Sequence, residues 1–123
     1  MKKSRSTNQG NLTLKGLDFT AVVLTMRDHV LTIILNRPEK KNAINETMVN
    51  EIIYALDYAK QQSDIRVVVI AAAGNVFCAG ADLKAMSGSQ EGQVVSNIPK
   101  RGEFDTLALR LYHLNKPTIA KLQ

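Results

Sequence analysis

The first clear pattern in the chain is a pair of short apolar runs separated by polar residues. The runs lie near residues 20–26 and 30–35, are rich in Val, Leu, Ile and Thr, and flank the polar trio at 27–29. β-branched residues on both sides of a short polar segment are typical of a β-hairpin. We therefore predict two strands, and we interpret His29 as a turn residue because no neighbour in the sequence would orient it for catalysis.

The next periodic segment predicts a helix followed by a buried strand. Asn45 is suited to cap a helix near residues 46–61, along which apolar residues recur at helical spacing. The continuous apolar run at 67–73 is typical of a strand that is buried on both faces. Strand, helix and strand in succession predict a βαβ crossover, for which a right-handed connection is the rule.

The second half of the chain continues this alternation with longer loops. A short helix is expected before residue 87, followed by a Gly- and Ser-rich loop to residue 102. A further helix is predicted near 104–114, and Pro117 prevents the helix from continuing beyond this segment. A strand is predicted near 118–122. The fold class predicted from these elements is α/β.

Charge is unevenly distributed along the chain. The 123 residues carry a net charge of +5, and four basic residues with no acidic one lie within the first fifteen. We therefore predict a basic flexible tail at residues 1–18 and a single domain at 19–123. Because the remainder is close to neutral and contains no nucleic-acid-binding motif, nucleic-acid binding is not expected.

The remaining composition excludes several other classes. No apolar run reaches the ~18–20 residues that cross a bilayer, so no membrane association is expected, and the first residues lack the apolar stretch of a signal peptide. The single Cys78 can form no internal disulfide, which suits a reducing compartment, and we expect a cytoplasmic protein. His29 and His113 have no Cys or His at ligand spacing, so no metal site is expected.

The candidate chemistry lies between Gly74 and Asp82. There a buried strand ends in small residues, so backbone N–H groups could meet a ligand carbonyl or phosphate closely. A tight turn that binds no ligand explains the same spacing equally well. Neither the phosphate-loop nor the dinucleotide glycine motif is present, which leaves a mononucleotide-binding βαβ module as the weakest of the functional readings.

Two sequence blocks resemble the enoyl-CoA hydratase/isomerase (crotonase) superfamily. The first contains Leu-Asn-Arg-Pro at 35–38 and Asn-Ala-Ile-Asn at 42–45, and the second contains Phe-Cys-Ala-Gly-Ala-Asp-Leu at 77–83. The segment 115–120 is similar to the family's next strand. The resemblance implies the N-terminal part of a crotonase-like ββα spiral fold, truncated before the family's second oxyanion loop.

The resemblance also implies acyl-CoA thioester chemistry of the kind found in fatty acid metabolism. In the family, backbone N–H groups of an oxyanion hole hold the thioester oxygen while it gains negative charge as an enolate. Ala79 matches the first of these donors. The positions implied to bind substrate are Lys41, Ala43, Ala79, Gly80, Ala81, Asp82 and Leu83, and the only coenzyme expected is the coenzyme A of the substrate itself.

One departure from the family concerns its catalytic groups. The second oxyanion donor and the glutamates that move protons lie beyond Gln123 in the family's pattern, and Glu39, Glu46, Glu51 and Asp57 are interpreted as solvated rather than catalytic. We expect the coding DNA downstream to encode a Gly-rich turn and a helix with such a glutamate.

Three functional hypotheses follow. Hydration of a 2-enoyl-CoA, a lyase reaction, is the first, with isomerase and other family reactions left open. The second is a non-catalytic acyl-CoA-binding remnant, or a subunit that needs a partner to complete its site, and the nucleotide-binding module is the third. Self-association through an exposed edge of the sheet is also expected.

Overall fold

The computed structural model describes residues 4–5, 11–78, 80 and 96–122. The elements in chain order are β1 (Ser4–Arg5), β2 (Leu12–Thr13), β3 (Val22–Arg27), β4 (Val30–Leu35), a 3₁₀ turn (Pro38–Lys40), α1 (Glu46–Gln61), β5 (Val67–Ala72), α2 (Phe104–Tyr112) and β6 (Thr118–Ala120). Every predicted strand and helix among the described residues lies within two residues of its expected bounds, and the α/β class is confirmed. The short helix expected before residue 87 lies outside the described residues.

The hairpin of β3 and β4 begins the main sheet. The two strands pair antiparallel from Val22↔Leu35 to Arg27↔Val30. Asp28 and His29 form the two-residue turn with φ angles of 52° and 67°, the left-handed conformation that a tight hairpin requires. His29 is thus a turn residue, as predicted, and its ring Nδ1 lies 2.8 Å from the carbonyl oxygen of Asp64.

The main sheet has the strand order β3-β4-β5-β6. α1 connects β4 to β5, which pair in parallel with Leu35 opposite Ala72, and β5 in turn pairs in parallel with β6. Because parallel strands place their carboxyl ends at one edge of the sheet, the chain segments that follow β4 and β5 begin side by side. This alignment positions the candidate site.

The core lies between α1 and the sheet. Asn45 caps α1 by accepting a hydrogen bond from the backbone N–H of Met48 over 2.9 Å, as predicted. The inward faces contribute fully buried apolar side chains, which include Leu31, Ile33, Met48, Ile53, Leu56 and Val68. Lys116 contacts the opposite end of α1, where its Nζ donates to the carbonyl oxygens of Ala59, Gln62 and Ile65 over 2.6–2.8 Å.

The prediction of a flexible tail over residues 1–18 is wrong for residues 11–14. Leu12 and Leu14 are buried in the core cluster, and Asn11 forms an antiparallel bridge with Thr25 of β3. Apolar Leu12 and Leu14 alternate with Asn11 and Thr13, so this segment carries the period of a half-buried strand. The basic residues on either side of this segment favoured the interpretation of a solvated tail over that of a strand.

The interpretation of Glu51 as a solvated residue is also wrong. Its side chain is fully buried on α1, and its carboxylate accepts hydrogen bonds from the backbone N–H groups of Thr20, Ala21 and Val22 over 2.8–3.1 Å. A buried carboxylate is tolerated where several donors replace its water shell. Glu51 therefore fixes the segment that leads into β3.

The interpretation of Asp57 as solvated is wrong as well, because its carboxylate is paired with two arginines. Its two carboxylate oxygens lie 3.2 Å from the Arg101 guanidinium and 2.7 Å from Arg110 Nε. The Arg101 guanidinium also lies over the ring of Tyr54 at 4.5 Å. Asp57 and Tyr54 thereby attach α2 and the segment before it to the outer face of α1.

The strand β6 occupies one edge of the main sheet, and all three of its residues are exposed. Ile119 and, just beyond the strand, Leu122 are 53% and 70% exposed. The exposed apolar edge expected at the last strand is therefore present. Within the described part of the chain, no helix is long and apolar enough to cross a membrane.

Candidate functional site

Two neighbouring loops form the candidate site at the carboxyl edge of β4 and β5. The first loop, residues 36–45, follows β4, and the second loop, of which residues 73–78 and 80 are described, follows β5. Ligands of open α/β sheets generally bind outside the carboxyl ends of the strands, which makes this edge the first place to look.

The first loop is folded tightly upon itself. Its 3₁₀ turn ends at Lys40, and the next two residues, Lys41 and Asn42, have left-handed φ angles of 53° and 57°. The N–H of Asn42 donates to the carbonyl oxygen of Arg37 over 2.8 Å, which closes the turn. Asn adopts the left-handed region more readily than most residues, which suits position 42.

Asn42 also joins the first loop to the second. Its side chain is fully buried. Oδ1 accepts a hydrogen bond from the N–H of Arg37 over 2.7 Å, while Nδ2 donates to the carbonyl oxygens of Ala73 and Val76 over 2.8 Å each. One amide thus uses its acceptor and both of its donors on the backbone of the two loops.

A main-chain hydrogen bond joins the loops a second time. The N–H of Ile44 donates to the carbonyl oxygen of Gly80 over 2.7 Å. The preceding residue, Ala43, is held from its other side, since its carbonyl oxygen accepts a hydrogen bond from the guanidinium of the buried Arg37. Residues 43–44 and residue 80 therefore keep a fixed relationship.

Glycine is required at two positions of the second loop. Gly74 has a φ of 85°, and a Cβ at this position would lie 3.0 Å from Cβ of Pro38 in the first loop. Gly80 has a φ of 105°, and a Cβ there would meet no atom of the described residues within 4 Å. Gly74 thus permits close approach of the two loops, whereas the exposed position of Gly80 favours glycine through its φ angle alone.

The structure brings three of the predicted site residues to this junction. Lys41 and Gly80 are exposed, and Ala43 is half-buried beside Ile44. Ala79, Ala81, Asp82 and Leu83 lie outside the described residues. The assignments of these four residues remain predictions that rest on the resemblance.

Arg37 and Asn42 organise the site, although the sequence pattern assigned neither of them a role. Both lie in the run of polar residues between β4 and α1, and both are buried. The signal that could have found Asn42 is its position after a 3₁₀ turn, where a left-handed residue with a hydrogen-bonding side chain is favoured. Among the described residues, no group of three His, Cys, Asp or Glu side chains could hold a metal ion.

Comparisons with known proteins identify the family. A family model described as enoyl-CoA hydratase/isomerase matches residues 25–123. A trans-2-decenoyl-(acyl-carrier-protein) isomerase of Streptococcus mutans is 31% identical over 104 residues, which are 84% of this chain and 40% of that protein. An enoyl-CoA hydratase of Mycobacterium tuberculosis is 36% identical over 100 residues, which are 79% of this chain and 36% of that protein.

Solved structures agree with the sequence matches. An enoyl-CoA hydratase from Mycobacterium marinum matches with a TM-score of 0.70 and 29% identity over 84% of this chain and 48% of its own. An enoyl-CoA hydratase/isomerase from Xanthobacter autotrophicus matches with a TM-score of 0.68 and 29% identity. This match covers 86% of this chain and 39% of the Xanthobacter chain. The chain spans about 40% of the length of the curated relative from S. mutans. The predicted crotonase-like fold is confirmed, and the chain belongs to the enoyl-CoA hydratase/isomerase family.

Proposed function

We propose that this protein binds acyl-CoA thioesters where its first and second loops meet, with the backbone at residues 79–80 facing the thioester oxygen. The observation that carries the proposal is the double attachment of the loops, through the Asn42 amide and through the Ile44–Gly80 hydrogen bond. A backbone that is fixed before the ligand arrives needs no reorganisation when charge develops on the ligand.

Hydration of a 2-enoyl-CoA is the reaction we propose first. The oxygen of water bonds to the β-carbon and gives up one proton to a basic group beside the substrate, while the electron pair of the double bond moves toward the thioester oxygen as an enolate. A proton then bonds to the α-carbon, and the carbonyl re-forms. Backbone N–H groups at the thioester oxygen, Ala79 being the expected donor, stabilise the enolate, and each such donor contributes about 3–4 kcal/mol in known enzymes.

An isomerase reaction would use the same backbone donors. Moving a double bond also passes through an enolate, although a proton is transferred between two carbons and no water is added. The relatives include a trans-2-decenoyl-(acyl-carrier-protein) isomerase as well as enoyl-CoA hydratases. The choice between the reactions depends on the acid and base groups that are placed beside the substrate.

A second candidate function, binding without turnover, is favoured by the positions of the described acidic residues. Glu51 and Asp57 are engaged in contacts within the fold. Glu39 and Glu46 are exposed on the 3₁₀ turn and at the start of α1. No described carboxylate is thus buried beside the second loop, where it could exchange protons with a bound thioester.

The coenzyme A part of the ligand is proposed to lie along the first loop. Lys41 is exposed there and its cation suits the phosphate groups of CoA, whereas Ala43 offers a small side chain beside the junction. The single Cys78 is compatible with the cytoplasm, which we propose as the compartment.

Titration separates the two candidate functions. We expect saturable binding of crotonyl-CoA and of the saturated butyryl-CoA, both tighter than binding of free CoA. Loss of the ultraviolet absorbance of the conjugated thioester in crotonyl-CoA would establish hydration. Saturable binding without that loss would establish the binding function. Equal affinity for the thioesters and free CoA would contradict a role of the second loop in holding the thioester.

Substitution of Lys41 tests the orientation of the ligand. Lys41→Gln should weaken binding of free CoA by about threefold at low salt, since an exposed cation contributes modestly to an ion pair. Lys40→Gln is the matched control, because Lys40 is its exposed neighbour. An equal effect of the two substitutions would show that only general positive charge matters.

A further inference from the structure

We infer that Asn42 is a positioning residue for the thioester-binding backbone. The inference rests on the function proposed above and assigns the alignment of the second loop to one side chain of the first. Asn42 itself is buried beneath the junction and is proposed to act through the loop that it holds.

The hydrogen bonds of Asn42 constrain the beginning of the second loop. The carbonyl groups that accept from Nδ2 belong to Ala73 and Val76, which lie on either side of Gly74. The turn at Gly74 is therefore fixed with respect to the first loop. The far end of the second loop is fixed at Gly80 by Ile44, only two residues beyond Asn42.

Both attachments therefore depend on the conformation of one short stretch. Arg37 accepts from the Asn42 N–H through its carbonyl and donates to Asn42 Oδ1 through its own N–H. Loss of the Asn42 amide would leave the carbonyls of Ala73 and Val76 without this donor, and it would release the turn that presents Ile44 to Gly80. The expected result is a second loop that is still present but misaligned for its ligand.

A purely structural role for Asn42 is the alternative, and Asn50 provides the control for it. Asn50 is also a buried Asn, and its Nδ2 donates to the carbonyl oxygens of Ile98 and Pro99 over 3.4 and 3.1 Å. Its Oδ1 accepts from the N–H of Arg101 over 2.5 Å. Asn50 thus makes the same kinds of bond, but it attaches a different segment to α1.

The test compares Asn42→Ala with Asn50→Ala by infrared difference spectroscopy of bound butyryl-CoA labelled with ¹³C at the thioester carbonyl. Butyryl-CoA has no double bond to hydrate, so the complex persists. In the wild type, hydrogen-bond donors at the thioester oxygen should lower the carbonyl stretching frequency relative to free butyryl-CoA. Failure of the wild type to bind, or to lower this frequency, would overturn the proposed function and the inference with it.

The inference is decided separately by the variants. At saturating ligand, Asn42→Ala should return the carbonyl frequency to its solution value. It should also weaken binding by about tenfold, because the thioester oxygen would lose roughly one neutral hydrogen bond from the misaligned backbone. Asn50→Ala should retain the wild-type frequency, even though both variants lower the stability of the fold. Retention of the shift in Asn42→Ala would overturn the positioning role and leave the proposed function intact.

A second measurement applies if Asn42→Ala does not fold. Amide hydrogen exchange in the wild type compares the N–H of Arg37, which donates to Asn42, with that of Arg101, which donates to Asn50. Saturation with butyryl-CoA should slow exchange at Arg37 by at least tenfold relative to Arg101 if Asn42 couples the loops to the ligand. Equal protection of the two amides would contradict the inference.

Discussion

The N–H of Ile44 donates to the carbonyl oxygen of Gly80 over 2.7 Å, and this bond joins two loops that follow different strands of the sheet. The parallel pairing that places Leu35 opposite Ala72 brings the loops to the same edge. Side chains within the first loop then set their separation. The strand register therefore brings the two loops of the candidate site together, and hydrogen bonds between the loops then fix their relative position.

Gly74→Ala should destabilise the protein by about 2–3 kcal/mol, because the new Cβ would be strained at a φ of 85° and would lie 3.0 Å from Cβ of Pro38. Gly16→Ala is the control, since Gly16 has a similar φ of 79° but no atom of the described residues within 4 Å of the added Cβ. Its cost should be about 1–2 kcal/mol, from the backbone alone. Urea unfolding measures both, and equal losses would contradict the close approach of the loops.

Glu51→Gln should lower the free energy of unfolding by about 2–4 kcal/mol. The substitution keeps the size of the side chain but turns an amide NH₂ toward backbone N–H groups that now donate to a carboxylate. Glu46→Gln, at an exposed position in the first turn of the same helix, should cost less than about 1 kcal/mol. A loss at Glu51 as small as that at Glu46 would show that the carboxylate is not needed.

Lys116→Met should cost about 2–3 kcal/mol of stability, because three carbonyl oxygens around the end of α1 would lose a charged donor. Lys60→Met is the matched control. Lys60 donates to one carbonyl oxygen, that of His113, at an exposed site, and its loss should cost about 0.5 kcal/mol. Thermal and urea unfolding distinguish the two, and a similar cost for both would contradict the capping role of Lys116.

The exposed edge at β6 should cause self-association that depends on protein concentration. Ile119→Lys combined with Leu122→Lys should reduce this association, because charges on an edge strand oppose pairing with another copy. Leu109→Lys, at a comparably exposed apolar position on α2, is the control and should have a smaller effect. Sedimentation velocity is the measurement, and a wild-type protein that stays monomeric would contradict the expectation.

The local pattern of the sequence was sufficient to predict those elements whose conformation depends only on their own and neighbouring residues. The turn at Asp28 and His29, the N-cap at Asn45 and the buried strand β5 all follow from neighbouring residues, since backbone propensity and hydrophobic period are local properties. The order of these elements also predicted the α/β class. The two sequence blocks pointed to the family, whereas the assignment of a ligand site to the small residues around Gly80 stays a prediction.

Only the tertiary structure decided which polar residues are buried and what they bind. Glu51 looks like any exposed glutamate on a helix until the N–H groups of Thr20, Ala21 and Val22 are placed against it. Asn42 likewise lies in a polar run, and its partners Ala73 and Val76 come from the far side of α1 and β5. The sequence carries the donors and acceptors, but their pairing depends on strand register, which brings distant backbone groups within hydrogen-bonding distance.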